Sequence, residues 1–322
     1  MEETIQLFGS QLSYEPVIEN MGNFKLRSRV ILCGMGGSAL AAGLIKVFDP
    51  LIPLKTYRGY DLASFSDEEL QISTVIASSF SGNTEETLSC LDRAIKARAS
   101  VVAVGASGVL LDRARFLKLP HIVIPGNGLE PRMALGLFTC AVLKILEKKD
   151  ALAELKEWSR SFDPHNLRKE GEKIAEFLSG YVPVVYSSDK NGPLGYVWKV
   201  SFNETSKIPS FCNVFPELNH NEMTSFDVVP NTVPLSKNTA FLFLIDENDD
   251  ERIKKRMLIS KEIYNELGFN VLEIVLPRSY VWDKIFTSTI LSYWTALLLA
   301  RNYGTKPEGV PLVEEFKKRM KD

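Results

Sequence analysis

Short apolar runs alternate with longer amphipathic stretches through the first half of the chain. Val30-Ile31-Leu32-Cys33 predicts a strand, followed by glycines and a helical pattern through Phe48. Leu54 to Tyr57 predicts a second strand, and Thr74 to Ala77 a stronger third. From Asn83 to Ala99 the apolar positions fall on one helical face, with Leu88, Leu91 and Ile95 along it. Asn83 and Glu86 stand at capping-box spacing, so the helix is expected to start at Asn83 and be capped by it. Val101 to Val104 and Ile122 to Ile124 predict two further strands. Alternation of this kind implies a parallel, doubly wound sheet.

A helix-rich stretch follows from Pro131 to about Lys149, then a charged and polar segment from Glu147 to Pro164 that is itself partly helical. This segment places a boundary near residue 150 and divides the chain into domains 1–150 and 151–322. The second half repeats the alternation. Its strands are expected at Val182 to Tyr186, around Phe211, at Phe241 to Ile245 and at Val271 to Leu276. Its helices are expected at Gly195 to Ser206, Asp250 to Leu267, Trp282 to Arg301 and Val313 to Met320. The fold class is therefore α/β, with two layers of similar size. The motifs of the first half do not recur in the second, so the duplication is one of fold and not of site.

Composition narrows the partners. A length of 322 residues suits two hydrophobic cores. Hydrophobic residues are 45% and charged residues 24%, as in ordinary soluble proteins. With a net charge of -2 and no Lys/Arg stripe, charge argues against a nucleic-acid partner. The apolar stretch from Ile290 to Ala300 is broken by Ser292, Tyr293 and Thr295, too short and too polar to span a bilayer. Met1 to Gln6 carry two acids and no basic segment, so no signal peptide and a cytoplasmic location are expected. Cys33, Cys90, Cys140 and Cys212 form no CxxC pair and only three histidines exist, so no metal site is expected. The cysteines read as reduced, mostly buried thiols.

In open parallel sheets, ligands bind beyond the carboxyl ends of the strands. Two segments stand there: Gly34-Met35-Gly36-Gly37-Ser38, and Ser78-Ser79-Phe80-Ser81-Gly82-Asn83-Thr84. A phosphate monoester needs donors converging on three oxygens, from backbone N–H groups at a helix start and from hydroxyls. Ser38, Ser79, Ser81 and Thr84 supply hydroxyls, while Gly36, Gly37 and Gly82 let the backbone approach closely. Each segment alone is as readily a tight turn or a helix cap; together, on two strands of one sheet, they favour a ligand. A dinucleotide is the competitor, since Gly34 to Ala39 begins like G-x-G-x-x-G/A. The second strand, however, ends in Tyr57-Arg58-Gly59-Tyr60 before Asp61, without the ribose-binding acid in place. Arg58 keeps an NADP reading open, yet the hydroxyl cluster fits a phosphate better than a nicotinamide.

These segments carry a resemblance. Ser79-Phe80-Ser81-Gly82-Asn83-Thr84-Glu85-Glu86 resembles the phosphate loop of SIS (sugar isomerase) domains. Gly34 to Ser38, Pro131-Arg132-Met133-Ala134-Leu135-Gly136 and Phe215-Pro216-Glu217-Leu218-Asn219-His220-Asn221-Glu222 are more specific. In order and spacing they resemble the archaeal-type bifunctional phosphoglucose/phosphomannose isomerases, over nearly the whole chain. The last string is the most specific, because SIS regulators and deaminases are not expected to carry it. The resemblance implies two SIS domains, each a five-stranded parallel sheet flanked by helices, and a homodimer with active sites at domain and subunit junctions. It also implies interconversion of glucose 6-phosphate and mannose 6-phosphate with fructose 6-phosphate, without metal or cofactor.

Aldose–ketose isomerisation needs ring opening, a base for the proton alpha to the carbonyl, and stabilisation of the enediolate. The resemblance makes Glu204, in the Asn203-Glu204 pair, the base. Read from the sequence alone, this acid is more readily a solvated helix residue, and it is the resemblance that reverses this. His220 becomes the ring-opening acid/base, contributed by the neighbouring subunit; imidazole titrates near neutrality. His121 and His165 read as packed or capping residues. Arg132 would stabilise the enediolate with its permanently charged fork, its competing role being an ion pair with Glu130. Lys317, or Lys318 in the alternative register, matches the lysine that assists ring opening. The family has a polar residue about two turns before that lysine, where this chain has Val310. The alternatives are a sugar-phosphate sensor without catalysis, another SIS-domain aminosugar-phosphate enzyme, and an NAD(P)-dependent dehydrogenase.

Overall fold

The computed structural model describes residues 1–126 and 128–320, and the side chain of Asn23 lies outside the description. The chain divides into two compact units. One is Leu7–Asp163; the other joins Met1–Gln6 to the chain from Pro164 onward.

The Leu7–Asp163 unit is built on five parallel strands: β1 (Arg29–Cys33), β2 (Leu54–Tyr57), β3 (Ser73–Ser78), β4 (Ser100–Gly105) and β5 (His121–Val123). They lie in the order β2-β1-β3-β4-β5. β3 is central and buried at every position, as a strand covered on both faces must be. Side chains alternate between the two faces. Ile31, Cys33, Val75, Ala77, Val101 and Ala103 meet Cys90, Leu91 and Ala94 of helix Glu85–Lys96 and Leu110 and Ala114 of helix Gly108–Phe116. On the other side, helix Gly37–Phe48 packs against helix Leu135–Ile145. The polar stretch before Pro164 contains helix Lys149–Ser159.

The cap expected at Asn83 does not form. Helix Glu85–Lys96 begins after Thr84, without a side-chain cap. Asn83 reaches instead to the next helix, its Oδ1 accepting from the Val109 N–H at 3.1 Å. A capping box does form in this unit, at Ser66 and Glu69 of the short helix Asp67–Gln71. Asn83 is drawn away because Gly82 and Gly108, at φ +69° and +81°, bring the two turns into contact. A Cβ on Gly82 would stand 1.8 Å from the Ser107 carbonyl oxygen.

The second unit holds β6 (Val182–Ser188), β7 (Phe211–Phe215), β8 (Thr239–Ile245) and β9 (Asn270–Val275), parallel and in the order β7-β6-β8-β9. Among the described residues its sheet has four strands, not the five implied by the resemblance. After β9 the chain enters helix Val281–Asn302, and the segment beyond it carries Gly304, Pro307 and Gly309, which do not suit a strand. That helix is buried nearly all round, and Gly171 of helix Arg168–Leu178 permits its close approach. A Cβ on Gly171 would stand 2.7 Å from the Trp294 Cβ. No described helix is long and apolar enough to cross a membrane. Under the sheet, Tyr186, Phe215, Phe226, Phe241, Phe243 and Tyr264 form an aromatic core, with the Phe241 and Tyr264 rings stacked at 4.5 Å. Each such side chain contributes about 1.5–3 kcal/mol through burial. Cys33, Cys90 and Cys140 are buried, Cys212 is half-buried, and all four are free thiols.

Candidate active site

The order β2-β1-β3 puts a topological switch point between β1 and β3, where neighbouring loops leave in opposite directions and open a crevice. Both motifs of the first half emerge there. Their loops touch: a Cβ on Gly34 would stand 2.7 Å from the Ser78 carbonyl oxygen. Two hydrogen bonds tie them together. Ser38 Oγ accepts from the Phe80 N–H at 3.0 Å, and Ser78 Oγ donates to the Ser38 carbonyl at 2.9 Å. Gly36, at φ +50°, turns the chain into helix Gly37–Phe48.

Within the second loop, Ser79 Oγ accepts from the Gly82 N–H at 3.1 Å and shares a hydrogen bond of 2.8 Å with Thr84 Oγ1. Ser81 Oγ accepts from the Asn83 N–H at 3.3 Å. The four hydroxyls therefore differ in setting. Ser38 and Ser79, 5% and 1% exposed, frame the loops, whereas Thr84 is half-buried and Ser81 is exposed.

Arg132 joins this group through a glycine. It lies in the turn Pro131–Met133, 4% exposed, with Nη1 3.3 Å from Glu130 Oε2. A Cβ on Gly37 would stand 2.5 Å from the Pro131 carbonyl oxygen and 3.0 Å from the Arg132 Cα. Glycine at 37 is thus what lets the arginine turn rest on the helix start. The Glu130 pair is made, and the arginine is nonetheless buried.

Glu204, His220 and Lys317 belong to the other unit. Helix Gly192–Ser201 does not continue regularly to Ser206; it widens into a π-helical turn, Phe202–Ser206. Glu204 sits half-buried in that turn. Such turns recur at functional sites, because the extra residue re-aims a side chain. Asn203 Nδ2 donates to the Ile208 carbonyl at 3.0 Å and Ser206 Oγ to the Ala296 carbonyl at 2.8 Å, anchoring the turn on both sides.

His220 ends the 3-10 turn Glu217–His220 after β7, and it is exposed. Its neighbours are fixed. Asn219 Nδ2 donates to Ser260 Oγ at 3.0 Å, and Asn221 Nδ2 to Glu217 Oε1 at 2.7 Å. Glu222 receives the Tyr186 hydroxyl on Oε1 at 2.7 Å and the Asn213 amide on Oε2. Burial, the neighbouring Tyr264 and the Glu222 carboxylate push the Tyr186 phenol well above its ordinary pKa, so it stays a donor. Polar residues of the Phe215–Glu222 string thus hold the loop, leaving the imidazole at the surface. The sequence reading gave Glu222, Tyr186 and Asn213 no role; the density of polar residues in the string was the available signal. His121 is buried between the Leu119 carbonyl and Glu19, and His165 lies edge-on to Trp294. Lys317 is exposed on helix Pro311–Arg319, which buries none of its residues.

The matching strand ends of the second sheet are filled from within. Asp246, directly after β8, is 0% exposed and bonds to Asn191 Nδ2 at 3.0 Å, Lys284 Nζ at 2.9 Å and Lys190 Nζ at 3.2 Å. Burial works against the charge. The Asn191 amide, the Lys284 ammonium and the Asn248 N–H outweigh it and hold the carboxyl down to about 2. Lys190 also reaches Asp249 Oδ1 at 3.0 Å.

Residues 167–320 match the family described as bacterial phospho-glucose isomerase C-terminal SIS domain. The chain is 30% identical over 334 residues to a bifunctional phosphoglucose/phosphomannose isomerase of Aquifex aeolicus, covering 100% of this chain and 99% of that one. It is 31% identical over 298 residues to the protein of the same name in Thermoplasma acidophilum, covering 91% of this chain and 90% of the other. In fold it is similar to the crystal structure of tagatose-6-phosphate ketose/aldose isomerase from Escherichia coli. The TM-score is 0.73 at 12% identity, over 96% of this chain and 95% of that one. Two parallel sheets flanked by helices, cross-tied loops at the β1/β3 switch point and similarity along the whole length converge: the chain belongs to the bifunctional phosphoglucose/phosphomannose isomerase family.

Proposed function

We propose that this protein interconverts glucose 6-phosphate and mannose 6-phosphate with fructose 6-phosphate by acid/base chemistry of its own side chains. The observation that carries the reading is the pairing of full-length similarity to isomerases of that name with a switch point whose two loops are locked together. The phosphate is taken by Ser81, Thr84 and the N–H groups of the loop, with Gly36, Gly37, Ser38 and Ser79 holding its shape. His220 passes a proton to the ring oxygen, assisted by Lys317; the C1–O5 bond breaks, the O1 hydroxyl gives its proton to water, and the C1=O1 carbonyl forms. Glu204 then removes the proton from C2 of the aldose. The C–H electron pair forms the C1=C2 bond, and the carbonyl electrons move onto O1. Arg132 stabilises that oxyanion. The O2 hydroxyl proton then passes to O1, the O2 electrons form the C2=O2 carbonyl, and the C1=C2 pair takes the proton back from Glu204 at C1. The two aldoses differ at C2 and give the same enediol once the open chain rotates about C2–C3. His220 comes from the neighbouring subunit of a homodimer.

The test offers purified protein glucose 6-phosphate and mannose 6-phosphate separately and follows fructose 6-phosphate. Formation from both is expected. Product from glucose 6-phosphate alone would remove the second activity, and product from neither would overturn the reading.

A further inference from the structure

Lys207 stands directly after the turn that carries Glu204, and it is engaged at both ends. Its backbone lies in the left-handed region, at φ 60° and ψ 35°, and its N–H closes the π-helical turn on the Phe202 carbonyl. Few side chains other than glycine take that conformation without cost, so the lysine is held there by its surroundings. Its half-buried ammonium folds back onto the turn and donates to the Glu204 carbonyl. It also donates to the Gly309 carbonyl, 102 residues further along.

Gly309 has φ +71° and precedes Val310, which starts the helix bearing Lys317. A second link runs alongside, from Thr305 Oγ1 to the Ser206 carbonyl at 3.4 Å. One ammonium therefore fixes the peptide of Glu204 and, at the same time, the entry to the last helix. Both are charge-assisted hydrogen bonds, the stronger kind. A π-helical turn is short of regular i→i+4 bonds, so its carboxylate is placed only as well as its anchors hold it.

We infer that Lys207 is a positioning residue for the isomerisation: it sets where the Glu204 carboxylate stands relative to the segment that introduces Lys317. It touches no substrate. This role rests on the assignment of Glu204 as the base. Its loss acts on the proton transfer and not on the grip of the phosphate, which is made by the other unit's loops.

The test compares wild type with Lys207→Met, Lys207→Arg, Lys207→Gly and Glu204→Gln, using fructose 6-phosphate. For Lys207→Met, kcat is expected to fall about a hundredfold, the scale of a base displaced by roughly 1 Å. KM should stay within about threefold, because substrate binding is not touched. Lys207→Arg should restore at least about tenfold of the loss, since a guanidinium spans two carbonyls. Lys207→Gly accepts the left-handed backbone and lacks the ammonium, so it separates the lost bonds from a folding defect. It should show the same split between kcat and KM even if the methionine variant fails to fold. An inactive Glu204→Gln beside Lys207→Gly with wild-type kcat would overturn the role of Lys207 and leave the base in place. Wild-type turnover by Glu204→Gln would overturn both. A rise in KM at unchanged kcat would also overturn it.

Discussion

Single side chains in the N-terminal loops differ in exposure, from buried hydroxyls that tie the loops together to others within reach of solvent. Ser81 is exposed and Thr84 half-buried, while Ser38 and Ser79 are committed to the loops. Ser81→Ala combined with Thr84→Ala is therefore expected to raise KM for both aldose phosphates about tenfold or more, the scale of hydrogen bonds to a charged group. Steady-state kinetics checks this, with kcat changing little. Asp246 ties stability to pH. Its carboxyl is held at about 2, below the ordinary value of 3.8, so its contribution is complete above the ordinary range. It is lost as the pH falls through 3.8 towards 2. Asp246→Asn is expected to cost about 3–5 kcal/mol near neutrality by leaving buried ammonium charge unbalanced. Urea unfolding of both proteins at pH 7 and at pH 3 should show the gap narrowing in acid. The sequence exposed the residue types of the cradle but not this commitment. Nothing in Ser79-Phe80-Ser81 says which hydroxyl turns inward; that is decided by Gly82 and Gly108 bringing two turns together.

Elements were legible where periodicity was strong. Among the described residues, nine strands fall where the apolar runs placed them, because such strands are short, apolar and bounded by turns. Element ends were less so. Asn83 had the spacing to cap its own helix, yet its amide is captured by Val109, a partner 26 residues away that local spacing cannot reveal. Asn83→Ala should therefore destabilise helix Gly108–Phe116, at a cost of about 1 kcal/mol. Hydrogen exchange should show faster opening of that helix while Glu85–Lys96 is little changed. The π-helical turn at Phe202–Ser206 was hidden for a similar reason. Its sequence, Phe-Asn-Glu-Thr-Ser, continues an ordinary helical pattern, and the widening depends on Lys207 and on partners in helix Val281–Asn302.

At the scale of the molecule, the chain carries one architecture twice, with five strands in one sheet and four in the other among the described residues. The acid and the imidazole assigned to catalysis lie in the unit that does not hold the loops proposed to take the phosphate. On the proposal that His220 is supplied across a two-fold dimer, mixing inactive Glu204→Gln and His220→Ala chains has a defined outcome. Half of the dimers become mixed, and each has one intact site, so activity should recover to about a quarter of wild type. Sedimentation should show dimers throughout, and no recovery after confirmed exchange of subunits would place both groups on one chain.

The lysine-neutralised carboxylate at the β6 and β8 strand ends has a consequence for counting. The molecule brings its own anion to the second mouth and keeps it there, so an arriving phosphate would meet ammonium groups already bound to a carboxylate. Titration calorimetry with a non-isomerising sugar phosphate should give a stoichiometry of one per polypeptide, however many times the scaffold is repeated.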